Sequence, residues 1–364
     1  MPDAPDSASS RSLAAIIDGY LTTQLLYVAA AVGLADQLAA APRSSQDLAR
    51  ATGIDAATLQ RLLRGLAAEG VLVEEPDGTF ALTDLGQPLR ADHPGSLRGA
   101  AMARGELYLA AAAHLLPAVQ AREIPFDRAY GQPLFAYLGA HPPAEAAFQQ
   151  SMAARAARDR VDLLAAYDFT GVCHVVDVGG GNGAMLAAIL RAHPHLQATL
   201  MDRPETIILA RENLADQGFE DQISLAEGDF FEAVPPGGDC YILSRILHDW
   251  DDARARRILE VCHAAMAPGA RLLLVEAVLP ERAVENPAAI RMDLHMLLLL
   301  PGRERTAAEF AELLQGTGFR IERVIAPASG TGVHVIEALR AADERRSTDE
   351  LAGWTPSSCQ DRNR

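Results

Sequence analysis

His174-Val-Val-Asp-Val178 is an apolar run that passes directly into Gly179-Gly-Gly-Asn-Gly183, and Ala184–Leu190 continues at helical spacing. A strand that breaks on glycines and restarts as a helix opens a doubly wound α/β sheet. Glycines at such a turn let the backbone bend sharply and come close to a ligand. Four more apolar runs follow at Gln197–Met201, Gln222–Ala226, Asp239–Leu243 and Arg271–Val278, with helical patterns between them. Phe319–Ile325 and Val333–Ala338 read as a closing hairpin. The fold class implied is α/β: a Rossmann-like, mainly parallel sheet with an antiparallel edge hairpin.

The glycine turn alone leaves the ligand open between a nicotinamide dinucleotide and S-adenosyl-L-methionine. A dinucleotide fingerprint spaces its glycines G-x-G-x-x-G to seat a pyrophosphate on a helix N-terminus. Here Gly179, Gly181 and Gly183 give G-x-G-x-G, and Asp177 stands two residues ahead of them. An acid at that place suits an ammonium group better than two phosphates. Asp202 ends the next strand, where a carboxylate can accept both ribose hydroxyls. Asp229-Phe230 follows the third strand, placed to take an adenine amino group and pack its ring. One nucleoside, no phosphate and a cationic tail describe S-adenosyl-L-methionine, with S-adenosyl-L-homocysteine as its product. The bland alternative, in which Asp202 and Asp229 only cap loops, has to hold at two strand ends at once.

Composition narrows the field further. The chain has 364 residues, 49% hydrophobic and 22% charged, with a formal net charge of -16. Such a field repels phosphate backbones and disfavours nucleic-acid binding. All 32 basic residues are arginine, which excludes a Schiff-base lysine and a Walker-type phosphate lysine. The four cysteines show no CxxC spacing, and no His/Cys/Asp/Glu group has metal-ligand spacing along the chain, so the expectation is no metal. No signal peptide or membrane span is apparent, and the expected location is cytoplasmic.

Upstream, Leu13 to about Leu38 repeats apolar residues at helical spacing with little polar face, as a helix buried against a larger body or a second subunit does. Ser44 with Asp47, and Asp55, cap two short helices separated by Gly53, and the hairpin Val71–Glu75/Thr79–Leu82 follows. Helix–turn–helix plus hairpin is a winged helix. DNA recognition is the textual alternative, but the second helix offers only Arg61 and Arg64. Scaffold or dimerisation is the preferred reading. The divisions expected are a disordered tail at 1–11, a mostly α winged-helix dimerisation domain at 12–105, a helical connector at 106–165 that lines the acceptor pocket, the cofactor-binding domain at 166–340, and a second disordered tail at 341–364.

Val176-Asp-Val-Gly-Gly-Gly-Asn-Gly183, Leu247-His-Asp-Trp-Asp-Asp252 and Gly302-Arg-Glu-Arg-Thr306 occur in that order. Together they resemble the class I small-molecule O-methyltransferases, which include plant caffeate-type and bacterial antibiotic-tailoring enzymes. The likeness spans about Leu13 to Arg340. It implies that the winged-helix region dimerises, that His248 is a general base flanked by Glu276 and Glu304, and that the acceptor is a small aromatic molecule. It also implies cofactor contacts at Gly179, Asp202, Asp229, Phe230 and Ser244, with Met152 near the methyl-bearing sulfur. A histidine ordinarily titrates near 6.5 and a phenol near 10, a gap of about 5 kcal/mol unless the site narrows it. His295, Met296 and Leu300 fall just ahead of Glu304 in the chain and are candidate acceptor-wall residues, with plain packing as the alternative for His295. One departure from the bacterial pattern is Glu145, where relatives often carry an arginine; Arg155 is a possible substitute. Methylation at nitrogen and a winged-helix regulator are the competing functions.

Overall fold

The computed structural model describes residues 13–328 and 332–341. The disordered tails expected at 1–11 and 341–364 lie outside the described residues, apart from Ala341. Two compact units divide between Arg155 and Ala156.

In the first unit the expected helix of Leu13–Leu38 is three: α1 (Leu13–Ile17), α2 (Gly19–Ala31) and α3 (Leu34–Gln37). Gly33, left-handed at φ 64, turns the chain between the last two. Strand β1 (Arg43–Ser44) leads into α4 (Ser45–Thr52), whose first turn is capped where the Asp47 amide donates to Ser44 Oγ. Gly53 is again left-handed, and α5 (Ala56–Ala68) starts with the Thr58 amide donating to Asp55. Strands β2 (Leu72–Glu74) and β3 (Thr79–Leu82) form the hairpin, and β1 adds to its free edge, giving the order β1–β3–β2. Leu48, Leu59, Leu63, Leu66 and Phe80 close a core of their own. By contrast Leu13, Ile16 and Ile17 stay 73%, 61% and 66% exposed.

Helices α6 (Arg98–Ala103), α7 (Leu109–Ala112), α8 (Leu115–Ala121), α9 (Pro125–Tyr130) and α10 (Leu134–Ala140) follow. A π-helical turn at Arg104–Tyr108 joins α6 to α7 and presses on α2: a Cβ on Gly105 would stand 2.2 Å from that of Tyr27. Helix α11 (Pro142–Ala166) then carries the chain across the division.

The second unit is the expected α/β sheet. Its strands are β4 (His174–Val178), β5 (Gln197–Asp202), β6 (Ile223–Glu227), β7 (Cys240–Ser244), β8 (Arg271–Glu276), β11 (Phe319–Ile325) and β12 (His334–Arg340), with two short strands, β9 (Val278–Leu279) and β10 (Arg305–Thr306), lying apart. The order is β11–β12–β8–β7–β4–β5–β6. All neighbours pair parallel except β12, which is antiparallel to both β8 and β11. The hairpin therefore enters the sheet by its second strand, and β11 becomes the edge.

Alternation along the strands sorts the side chains. Val175, Ala198, Leu200, Leu273 and Val275 face α12 (Ala184–Ala192) and α13 (Pro204–Ala215). Val176, Val178, Leu243, Leu272 and Leu274 face α14 (Asp252–Ala265) and α16 (Ala307–Gly316). Each such valine or leucine contributes about 1.5–3 kcal/mol on burial, so a one-residue slip of any strand would spoil both faces. Strand order reverses between β4 and β7, the place where doubly wound folds hold ligands beyond the carboxyl ends of their strands.

One strand departs from expectation. Arg271–Val278 is not continuous: β8 stops at Glu276, and β9 instead pairs in parallel with β10. Among the described residues no helix is long and apolar enough to cross a membrane.

Candidate active site

At the end of β4 the backbone turns through Gly179, Gly181 and Gly183, all left-handed. Four of the five loop amides are spent inside the protein. Those of Gly179 and Gly180 donate to the Met201 carbonyl, that of Gly181 to Asp202 Oδ2, and that of Gly183 to the Gly180 carbonyl. A phosphate-binding loop needs those amides facing its ligand, so this loop is not built for a pyrophosphate. A Cβ on Gly179 would stand 2.5 Å from Ile246 Cδ1 and 3.6 Å from the Phe230 ring, so both side chains lie against the turn.

Beneath Gly180 sits Asp177, 1% exposed, and neither of its carboxylate oxygens has a hydrogen-bond partner. Burial, with the Asp202 charge adding, raises its pKa to about 7. An uncompensated buried carboxylate is costly, and a cationic ligand is what relieves it. Asp202 and Asp229 do cap their own turns, taking the Arg203 and Phe231 amides. Carboxylate oxygens have further lone pairs, so this capping leaves room for hydroxyl or amino donors. Ser244, half-buried, ends β7 across the switch point. Met152 lies on α11 in the first unit, so it is not among the residues that the second unit brings together.

The second half of the site follows β7. Arg245 adopts φ 56, a left-handed conformation that costs a non-glycine residue about 1 kcal/mol or more. The bend turns the next two amides, of Ile246 and Leu247, onto Glu276 Oε1 at 3.1 and 2.8 Å. A 3-10 turn, Leu247–Asp249, then presents His248. Its Nδ1 lies 3.0 Å from Glu304 Oε1 and 3.8 Å from Glu276 Oε2, and its Nε2 lies 3.3 Å from Asp249 Oδ1. Glu276, Glu304 and His248 are all buried. Burial alone would lower the imidazole pKa, but the carboxylates of Asp249, Glu276 and Glu304 outweigh it and hold it at about 9. The same burial, with Glu304 nearby, raises the Glu276 carboxyl.

Arg245 supplies the balancing cation: it pairs with buried Asp159 of α11 at 3.0 Å and approaches Glu304 at 3.6 Å. Helix α15 (Pro287–Leu299) carries Met296, buried, and His295, half-buried, with Leu300 extended at its end. Asp293 on the same helix accepts the Glu304 amide at 3.0 Å.

Chain spacing gave no metal-ligand group, yet the fold assembles one set of candidate donor atoms. His248, Glu276 and Glu304 each bring a donor atom within 4.8 Å of the others, a set that could hold an ion. Chain spacing hid this, because the group is assembled by the β9–β10 pairing, two residues beyond Glu276 and one beyond Glu304. Arg245, Asp159, Asp249 and Asp293 are the members that the sequence did not reveal. The cue for Arg245 was available: it lies between a strand end and the Leu247–Asp252 motif.

Family models match both parts of the chain: an O-methyltransferase dimerisation domain at residues 14–91 and an O-methyltransferase domain at 112–320. A phenazine O-methyltransferase of Lysobacter antibioticus is 42% identical over 325 residues, covering 89% of this chain and 95% of its own. An 8-amino-8-demethylriboflavin N,N-dimethyltransferase of Streptomyces davaonensis is 35% identical, over 89% and 91%. Among solved structures, an O-methyltransferase from neocarzinostatin biosynthesis, in complex with S-adenosyl-L-homocysteine and 1,4-dihydroxy-2-naphthoic acid, superposes with a TM-score of 0.78. It is 33% identical, covering 92% of this chain and all of that one. The chain belongs to the S-adenosyl-L-methionine-dependent O-methyltransferases that carry their own dimerisation domain.

Proposed function

We propose that this enzyme methylates a phenolic hydroxyl of an aromatic secondary metabolite, with His248 as general base. The observation that carries the reading is the 3.0 Å contact of His248 Nδ1 with Glu304 in a buried setting of three carboxylates. When bound, the cofactor supplies an electrophilic methyl on a sulfonium. The protein's task is then to align an acceptor oxygen with that carbon and to take its proton. A phenol near 10 against an imidazole at about 9 leaves about 1.4 kcal/mol to climb, where an ordinary histidine leaves about 5. Glu304 holds Nδ1, and Nε2 is the nitrogen left to face the acceptor, with Asp249 giving way to it. The cation in this group is a proton, with Arg245 beside it, and no metal is required.

The cofactor is held by Asp177 on its cationic tail, by the turn Gly179–Gly183, by Asp202 on the ribose, and by Asp229, Phe230 and Ser244 around the base. His295, Met296 and Leu300 wall the acceptor. The naphthoate held by the neocarzinostatin relative supports a flat aromatic acceptor. The uncovered apolar residues of α1 support a homodimer formed through the dimerisation domain.

An aromatic amine is the competing acceptor, favoured by the riboflavin-type relative, and it has a free lone pair and needs no base. The deciding measurement is His248→Ala on phenolic and amino acceptors with labelled cofactor. Methyl transfer to phenols is expected to fall by about 10²–10⁴-fold while calorimetric cofactor affinity persists. Unchanged transfer to phenols removes the base role, and a screen in which only amines are methylated overturns the oxygen acceptor.

A further inference from the structure

We propose that Arg305 is the positioning residue of the active site, clamping the segment that carries Glu304 to the turn that carries His248. This rests on the reading of His248 and Glu304 as a base pair. Arg305 is fully buried, and each of its guanidinium nitrogens is engaged. Nη1 donates to the Leu247 carbonyl at 2.8 Å, and Nη2 donates to the Trp250 carbonyl at 2.8 Å. Nε and Nη2 both reach Asp252 Oδ1, at 3.0 and 2.9 Å. The two carbonyls bracket His248 on either side, one residue before it and two after.

The clamp is short on both sides. Arg305 adjoins Glu304, so the two Cα atoms stand about 3.8 Å apart. On the other flank Gly302 lies against the same turn: a Cβ there would fall 1.9 Å from the His248 carbonyl oxygen and 2.4 Å from the Asp249 carbonyl carbon. Only backbone fits at that contact. Glu304 therefore sits between two fixed points, Gly302 and Arg305, that both bear on the backbone around His248. Its own amide is tied to Asp293.

Packing alone does not account for an arginine here. Burying a guanidinium is costly unless every donor is satisfied and a counter-charge is at hand; an apolar side chain would fill the same space without that cost. What arginine adds is a rigid planar fork that serves three acceptors outside its own segment at once. A lysine has a single nitrogen and cannot reach Leu247, Trp250 and Asp252 together. The groups facing His248 are Asp249 on its own turn, Glu276 from β8 and Glu304 from the clamped segment, and Arg245 after β7 approaches Glu304 at 3.6 Å. Loosening Arg305 frees Glu304 from the turn that carries His248 and Asp249, while Glu276 and Arg245 are held by other elements.

The test is Arg305→Lys in the full chain, read by NMR titration of the His248 imidazole, with kcat, acceptor KM and cofactor affinity measured alongside. Expected are a native near-ultraviolet spectrum, cofactor affinity within about twofold, and a kcat at pH 9 lower by about 10–10²-fold. The His248 midpoint is expected to fall by about one pH unit as Glu304 withdraws. A purely structural role would lower thermal stability but leave the midpoint and the kcat of the folded fraction unchanged, and that result overturns the proposal. If Arg305→Lys does not fold, Asp252→Ala takes its place, since it removes the part-exposed anchor and leaves both carbonyl bonds. A lowered midpoint there supports the clamp, and an unchanged one overturns it. Should His248→Ala retain full activity, the base assignment fails, yet the titration of His248 still decides what Arg305 does.

Discussion

Replacing Glu304 by glutamine changes one charge and almost no volume, and its effect on methyl transfer should depend on pH in a particular way. His248 stands at about 9 against an ordinary 6.5 because three carboxylates overcome the opposing effect of burial. They lie 3.0, 3.3 and 3.8 Å from the ring nitrogens, so their shares are comparable. Glu304 also accepts the hydrogen bond, so its loss should lower the midpoint by about one pH unit or more, which is about 1.4 kcal/mol. The sign follows from the raised value. Below about pH 9 the free imidazole is protonated, and a productive complex with a phenol must first lose one proton, so kcat/KM climbs with pH and levels near 9. In Glu304→Gln the climb should end about one unit lower, at a plateau about tenfold lower, because the weaker base leaves the phenol less ionised.

Below both midpoints the two enzymes should converge. There the imidazole is charged in either protein, and the work lies in removing one proton from the acceptor. The assay is a kcat/KM profile from pH 6 to 10, with labelled cofactor and a phenol that the wild type methylates. A uniform loss at every pH with an unmoved limb would refute the tuning, and Glu304 would then matter only by shape.

Two further expectations concern the cofactor loop and the first unit. Asp177→Asn should raise the thermal stability of the cofactor-free protein, since it removes a buried carboxylate without a partner, while weakening cofactor binding about tenfold or more by calorimetry. Because Asp177 is pushed up to about 7, wild-type cofactor affinity should rise from pH 6 to 8 as the carboxylate ionises, and the variant should be flat; equal slopes would count against the ammonium contact. Ile16→Asp with Ile17→Asp should dissociate the dimer in sedimentation, and a dimer that persists would place the interface elsewhere.

Much of the scaffold was legible because it is written in local chemistry. Ser44 and Asp55 announce their helices by their side-chain oxygens, and β4 announces itself by an apolar run closed by glycines. The acids at 177, 202 and 229 could be placed because strand ends fix where they must lie. The cluster of His248, Glu276 and Glu304 was legible by resemblance and not by spacing. Glu276 and Glu304 meet through two strands of two residues each, too short to carry a period. Arg245 takes a left-handed backbone that no propensity assigns to arginine, and nothing in the Gly302–Thr306 motif says that Arg305 is buried. Partners 50 or more positions apart decide both.

The bond from Asp293 to the Glu304 amide bears on how such an enzyme can change its taste. Helix α15 presents His295 and Met296 within a turn of Asp293, so the side chains proposed to wall the acceptor share a rod with the support of Glu304. Substitutions that tilt α15 to admit a bulkier ring would displace that acid along with the wall. Those that only trim or extend a side chain leave it in place. Diversification of acceptors should therefore run through side-chain size on a stationary helix, and Asp293 should be the position in α15 that tolerates least experiment.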